Sequence, residues 1–359
     1  MRRSLWLVAV LAALSMVAAA CGSDNNQKGS STGTTTAQVP CDPGTISGAG
    51  STFAQNIAQQ WIKDFKAKCS GATINYQGVG SGAGIQQFTA GTIDFGATDV
   101  PMSATEEQAA VAKGGQVQTI PWTGGGIAVE YNLSGVSGLK LSPETVAGIF
   151  AGKVKTWNDP AIKNDNSGAS LPTTGIQVVH RSDGSGTTAA FTGYLTAVAP
   201  AVWTAGAAKD VPWPTGQGAK GSDGVTAAVK QTTGAIGYAE VSFAKGNSLG
   251  IASIKNAYGS FVQPNAKNVS AALAEAQIPP DLKIKPNYKP TGADAYPIST
   301  PSFALAFTKQ KDPAKGKLLK DFLAYAVGSG QAAAEGLYYA PLPSELQTKA
   351  KAAVDAIQT

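Results

Sequence analysis

Residues 176–195 read IQVVHRSDGSGTTAAFTGYL. Ile176, Val178 and Val179 form a short apolar run of the kind a buried strand requires. Ser182 to Gly186 supply a polar, glycine-bearing turn, and the sequence from Thr187 onward suits a helix. The same order occurs twice earlier. Residues 44–53, GTISGAGSTF, give a short strand and a tight turn, and Phe53, Ile57, Trp61 and Phe65 then recur every four residues along one helix face. Residues 72–85, ATINYQGVGSGAGI, give a strand, a glycine-rich turn and the start of a helix through Gln87 and Phe88. This alternation of strand and helix is the pattern of an α/β fold.

Further along, Ser103 and Glu106 have the spacing of a capping box, and Ser142-Pro143 opens a second helix over residues 144–150. SFALAFTK (302–309) reads as a strand, and residues 317–327 and 344–357 read as helices. A chain of 359 residues exceeds the size at which one core keeps growing, so two lobes are expected. No solenoid-type repeat is present.

The N-terminus carries Arg2 and Arg3, then an apolar run over residues 5–20 broken by Ser15. That run is short for a hydrocarbon core of roughly 30 Å. It ends in Ala18-Ala19-Ala20 followed by Cys21, so residues 1–20 read as a signal peptide; Cys21 resembles the lipidation site of a bacterial lipoprotein, the alternative being a plain signal peptide with an incidental cysteine. Ala18 stands where such sites usually carry Leu. Residues 21–41 are polar and rich in Gly, Ser and Thr, the composition of a flexible lipid-anchored tether. Cys41 and Cys69 are then left as a pair in an oxidising compartment, where a disulfide is expected and two free thiols are the alternative. His180 is the only histidine and no cysteine spacing suits zinc, so no metal site is expected. The net charge of +5 comes from scattered lysines, which argues against nucleic acid.

The three turns, GAGSTF (48–53), GVGSGAG (78–84) and RSDGSGTT (181–188), are candidate donor nests. Glycine lets backbone N–H groups point outward at a helix start, where the helix dipole favours negative charge. Ser and Thr hydroxyls add donors, and Arg181 adds a cation. Convergence on one oxyanion is one reading, and three unrelated structural turns are the other. GVGSGAG fails as a dinucleotide fingerprint, since position 83 is Ala and no acidic residue sits about twenty residues on at a strand end. No nucleophile elbow or Walker lysine appears. His180 and Ser185 flank a turn with no acid to orient the imidazole, so His180 reads as a structural strand residue.

GAGSTF, NYQGVGSGAGIQQF, DFGATDVPMS, RSDGSGTTAAF, WPTGQGAKGSDGV and GAIGY together resemble the periplasmic-type phosphate-binding proteins (the PstS family) of bacterial phosphate ABC transporters. The resemblance runs from about Gly48 to Pro343, with the motifs in order. It implies a two-lobed, type II periplasmic-binding-protein fold with a mixed sheet in each lobe and a two-strand hinge. Lobe I would comprise residues 42–128 and 297–359, and lobe II residues 129–296. It further implies a lipoprotein, monomeric and outside the cytoplasm, that binds inorganic phosphate without transforming it and needs no cofactor. Its partners would be the permease subunits of the transporter and, through the lipid, the cell membrane.

Carried over residue by residue, the resemblance makes Thr52 and Phe53 backbone donors, with the Thr52 hydroxyl a further candidate. Ser81 would donate through hydroxyl and backbone, and Arg181 would clamp two oxygens with Asp183 orienting it. Ser185, Gly186 and Thr187 would supply helix-start donors. Asp99 would accept a hydrogen bond from the proton that phosphate carries at neutral pH. Sulfate carries none, so it would meet an unpaired acceptor and a like charge. A site that reads such a bond can reject the analogue lacking it by roughly 10⁴-fold. Without the resemblance, Asp99 before Pro101 reads as an ordinary turn residue, as does Asp183. The rival readings are an extracellular phosphate-ester hydrolase, which would need a nucleophile or metal ligands, and a surface receptor that has lost its ligand.

Overall fold

The computed structural model describes residues 41–359; the expectations for residues 1–40, Cys21 included, lie outside the described residues. The chain begins with β1 (Gly44–Gly50), α1 (Gln55–Lys68), β2 (Ala72–Gly78), α2 (Ser81–Ala90), β3 (Phe95–Thr98) and α3 (Ala104–Gly114). β1 lies between β2 and β3 and runs parallel to both. Ile57, Trp61 and Phe65 of α1 are fully buried, as the four-residue spacing requires. The Trp61 ring packs 5.5 Å from that of Trp122, and its indole N–H donates to the Gly330 carbonyl at 2.8 Å. Each such burial contributes about 1.5–3 kcal/mol. Phe53 lies two residues ahead of the helix, so it enters the same core from the turn. Ser103 and Glu106 form the expected capping box on α3.

β4 (Val117–Tyr131) then runs for 15 residues and passes from one half of the molecule to the other. The second half comprises β5 (Lys140–Leu141), α4 (Pro143–Phe150), α5 (Pro160–Asp165), β6 (Gln177–Arg181), α6 (Gly186–Val198), β7 (Gln217–Ala219), α7 (Gly221–Gln231) and β8 (Ala235–Glu240). α8 (Val241–Gly246), β9 (Gly250–Ile251), β10 (Ser253–Lys255), β11 (Phe261–Val262) and α9 (Ala266–Ala274) complete it. The chain returns through β12 (Ser299–Phe307), α10 (Pro313–Val327), two 3-10 turns (Ser329–Ala333 and Glu335–Leu337) and α11 (Ser344–Asp355). Asp312 caps α10 by accepting from the Ala314 and Lys315 N–H groups. The helix therefore starts four residues before the apolar pattern does.

Nine strands form one mixed path, β2-β1-β3-β12-β4-β8-β6-β7, with β9 added to β4, and β11-β10-β5 form a separate small sheet. Residues 117–126 of β4 pair with β12, and residues 127–131 pair with β8. The sheets of the two halves thus share one strand. The returning chain crosses beside it: the Ile127 N–H donates to the Ile298 carbonyl at 2.8 Å, and the Tyr296 hydroxyl donates to the Ile127 carbonyl at 2.7 Å. β6 runs parallel to both β7 and β8, as β1 does to its neighbours, so both halves present strand-to-helix turns at the same kind of edge. Cys41 and Cys69 form a disulfide with Cα atoms 5.4 Å apart, tying the start of the described chain to the end of α1.

Two carboxyl groups are buried on the paired strands β4 and β8. Glu130 accepts from the Thr226 hydroxyl at 3.0 and 3.2 Å, and burial pushes it up to about 8. Glu240 accepts from the N–H and hydroxyl of Ser242, and burial likewise pushes it up to about 8. A carboxyl raised in the fold binds more protons folded than unfolded, so its contribution is complete below the ordinary carboxylate range and is lost as pH rises towards 8. Unfolding free energy should fall between about pH 5 and 8, by up to about 1.4 kcal/mol per pH unit for each group. Glu130→Gln should flatten that slope in urea titrations. An unchanged slope would show that Glu130 is ionised in the fold.

Candidate functional site

Three strand-to-helix turns meet where the two halves face each other. The β1–α1 turn brings Ser51, Thr52 and Phe53; the β2–α2 turn brings Gly80 and Ser81; the β6–α6 turn brings residues 181–187. Asp99 follows β3. Thr52, Phe53, Ser81, Asp99, Arg181, Ser185 and Thr187 are all buried. The halves touch directly, with the Gly82 N–H donating to the Gly184 carbonyl at 2.8 Å.

Glycine is required at two of these contacts. A Cβ on Gly186 would lie 2.8 Å from Asp99 Oδ2 and 2.5 Å from Ser81 Oγ. Gly80 has φ of +89° and faces the Arg181–Asp183 pair, with Arg181 Nη2 at 3.4 Å from where its Cβ would be. A side chain at either position would hold the halves apart.

The hydrogen bonds on Asp99 are unequal. Oδ1 accepts from the hydroxyls of Ser51 at 2.5 Å and Ser302 at 2.8 Å. Oδ2 receives the Ser81 hydroxyl at 3.4 Å, a long and weak contact. The carboxyl thus has one saturated oxygen and one with accepting capacity to spare, on the side of Gly186. Burial pushes the Asp99 carboxyl up from its ordinary range, against the opposing pull of Ser51, Ser302, Arg181 and Ser81.

Arg181 donates through Nε to Asp183 Oδ1 at 2.7 Å and through Nη2 to Oδ2 at 2.5 Å. Those bonds occupy one edge of the guanidinium and leave the fork formed by Nη1 and Nη2 for another partner. Asp183 also accepts from the Gly221 N–H at 3.0 Å. Burial opposes ionisation of Asp183, but the Arg181 and Gly221 bonds outweigh it and hold the carboxyl below its ordinary range.

Ser185 caps α6 by accepting from the Thr188 N–H at 3.0 Å, which leaves its own hydroxyl proton to donate. The N–H groups of Gly186 and Thr187 sit in the first helical turn, where no intrahelical acceptor exists. The Thr187 hydroxyl is buried and has no hydrogen-bond partner. A guanidinium fork, free helix-start donors and an unsatisfied buried hydroxyl suit a tetrahedral oxyanion. Asp99 Oδ2 suits an oxyanion that still carries a proton.

The anion-binding residues expected from sequence, with Asp183, lie together here, with one difference. The Thr52 hydroxyl is engaged across the cleft by Ser222, whose N–H donates to it at 3.2 Å and whose Oγ lies at 2.8 Å. Sequence reasoning missed Ser222, Ser51 and Ser302. Ser51 lies within GAGSTF and could have been flagged by its place in the motif. Ser302 could not, because the β3–β12 pairing that brings it to Asp99 spans 203 residues.

Among the described residues, no group of His, Cys, Asp and Glu side chains could hold a metal ion, and no helix is long and apolar enough to cross a membrane. Gly186→Ala is expected to disfavour the apposed form by about 1–3 kcal/mol. In small-angle X-ray scattering this should appear as a larger radius of gyration than wild type in the same buffer. An identical radius would mean that the contact at Gly186 yields without cost.

The PBP superfamily domain matches residues 29–329. The chain is 43% identical over 315 residues to the phosphate-binding protein PstS of Pasteurella multocida, covering 86% of this chain and 89% of that one. It is 39% identical over 360 aligned positions to the phosphate-binding protein PstS 3 of Mycobacterium tuberculosis, covering 98% and 97%. Among solved structures it is similar to a high-affinity periplasmic phosphate-binding protein (PfluDING) bound with phosphate, at TM-score 0.72 and 25% identity, covering 86% of this chain and 93% of that one.

Proposed function

The chain belongs to the PBP superfamily and, within it, to the PstS phosphate-binding proteins, and from that premise we propose that it captures inorganic phosphate outside the cytoplasm and passes it to a membrane ABC importer. The observation that carries this reading is the uneven bonding of Asp99. Its Oδ1 is saturated by Ser51 and Ser302, while Oδ2 awaits a donor beside the head of α6.

In this reading Arg181 clamps two phosphate oxygens through its free fork, and Asp183 orients it. Ser185, Gly186 and Thr187 donate at the start of α6, and the Thr187 hydroxyl finds its partner in the ligand. Ser81 donates through hydroxyl and backbone, and Thr52 and Phe53 donate through backbone N–H. Oδ2 of Asp99 accepts the proton that phosphate retains. The site binds without chemistry, and the Ser51 and Ser302 hydroxyls serve to hold the Asp99 carboxyl in place. The lobe division at about residues 128 and 296 makes β4 and the crossing at Ile298 the hinge, and closure alone brings both donor sets together. We also propose that Cys21 carries a lipid, that residues 22–40 act as the tether, and that the folded body works as a monomer.

Asp99→Asn tests the proton reading. The amide can donate to an unprotonated oxygen, so sulfate affinity should rise while phosphate affinity falls, narrowing selectivity by roughly 10²-fold or more. Competition calorimetry with both anions measures it, and unchanged selectivity would remove Asp99 from the role. For the anchor, Cys21→Ser should abolish incorporation of labelled fatty acid in a bacterial host, and persistent labelling would place the lipid elsewhere.

A further inference from the structure

Glu106 and Glu107 are neighbours in the first turn of α3, on the first half, and each meets a lysine from the second half. The Lys209 ammonium donates to both oxygens of Glu106 at 2.5 and 2.6 Å. Lys283 donates to both oxygens of Glu107 at 2.8 and 2.7 Å and has Asp281 at 3.6 Å. Lys209 and Glu106 are shielded, with side chains 20% and 27% exposed. Glu106 is also fixed in place, because its Oε2 accepts from the N–H and hydroxyl of Ser103.

Lys209 has a second attachment. Its carbonyl accepts from the Ser185 N–H at 2.8 Å. Ser185 is the residue that caps α6, so Lys209 is bound through its main chain to the anion-receiving turn and through its side chain to the opposite half. The ion pair spans the cleft and would be broken by separation of the halves. An interaction made in one of two conformations shifts their equilibrium by its full differential free energy.

We propose that Lys209 is a positioning residue for ligand retention: its ion pair with Glu106 latches the closed form over the turn that holds the anion and slows release more than it affects entry. This rests on the reading of the cleft as a phosphate site. A pair that forms only after closure acts on the dissociation rate, and a bidentate, partly buried pair exceeds the ordinary exposed ion pair in strength.

The test is release of labelled inorganic phosphate from stripped and reloaded protein, chased with unlabelled phosphate, with association measured separately. Lys209→Gln, which removes the charge and keeps the turn's main-chain bond, should speed release about three- to ten-fold and change association less than two-fold. Glu106→Gln should do the same. The double variant should be no worse than either single one, and the exchange K209E/E106K should recover part of the retention. Lys209→Arg should retain phosphate as wild type does, and thermal unfolding of each variant separates a folding defect from loss of the latch. Wild-type release in Lys209→Gln, or simple multiplication of the two single effects, overturns the latch while leaving the phosphate site in place. A wild-type protein that takes up no phosphate overturns the cleft reading and the latch with it.

Discussion

The Asp99 carboxyl is buried where the two halves meet, and the arrangement of the cleft follows from making that tolerable. Isolated charge at such depth costs several kcal/mol unless it is hydrogen-bonded. Ser51 and Ser302 meet that cost on one oxygen of Asp99; Ser51 follows β1 and Ser302 lies in β12, the two strands that flank the one leading into Asp99. The Tyr76 hydroxyl donates to the Ser51 carbonyl at 2.7 Å, and the Thr300 hydroxyl donates to the Asp99 carbonyl at 3.0 Å, so the surrounding backbone is held as well. The other oxygen is left short of donors. On the proposed reading, a proton-bearing oxyanion completes it and a fully ionised one does not.

The positive counterpart is built with the same economy. Asp183 takes one edge of Arg181 and leaves the other for a further partner. The two acid residues of the site therefore have opposite surroundings, Asp99 being raised by burial and Asp183 lowered mainly by Arg181. Glycine at positions 80 and 186 lets the halves approach until these groups face a common space, and the contacts at Gly82–Gly184, Thr52–Ser222 and Glu106–Lys209 hold them there.

Much of the site was legible because its residues lie in strand-to-helix turns, where Gly, Ser and Thr are conspicuous against apolar strands. The face of α1 was equally legible, since four-residue spacing of large apolar groups leaves little choice. β4 was not. It carries Pro121 and Gly124 to Gly126, residues that disfavour strands, yet it is paired on both sides and shared between the halves. β12 begins at Ser299, three residues before the apolar run, because its pairing with β4 tolerates Pro301 and shifts register between Ser302 and Phe303. Ser302 and Lys209 stayed hidden for one reason: each is an ordinary polar residue whose partner is brought to it by long-range packing, whereas Ser222 lies within the motif WPTGQGAKGSDGV.

The central claim is that the site recognises a proton on its ligand, and calorimetry of ligand-stripped wild-type protein with phosphate and with sulfate, at pH 8 and again at pH 5, tests it most directly. One tight phosphate site with no sulfate binding is the expected result at pH 8. Any sulfate binding should strengthen from pH 8 to pH 5, because burial raises the Asp99 carboxyl and falling pH favours its protonated form, which can donate. Comparable affinity for the two anions at pH 8 would contradict the account.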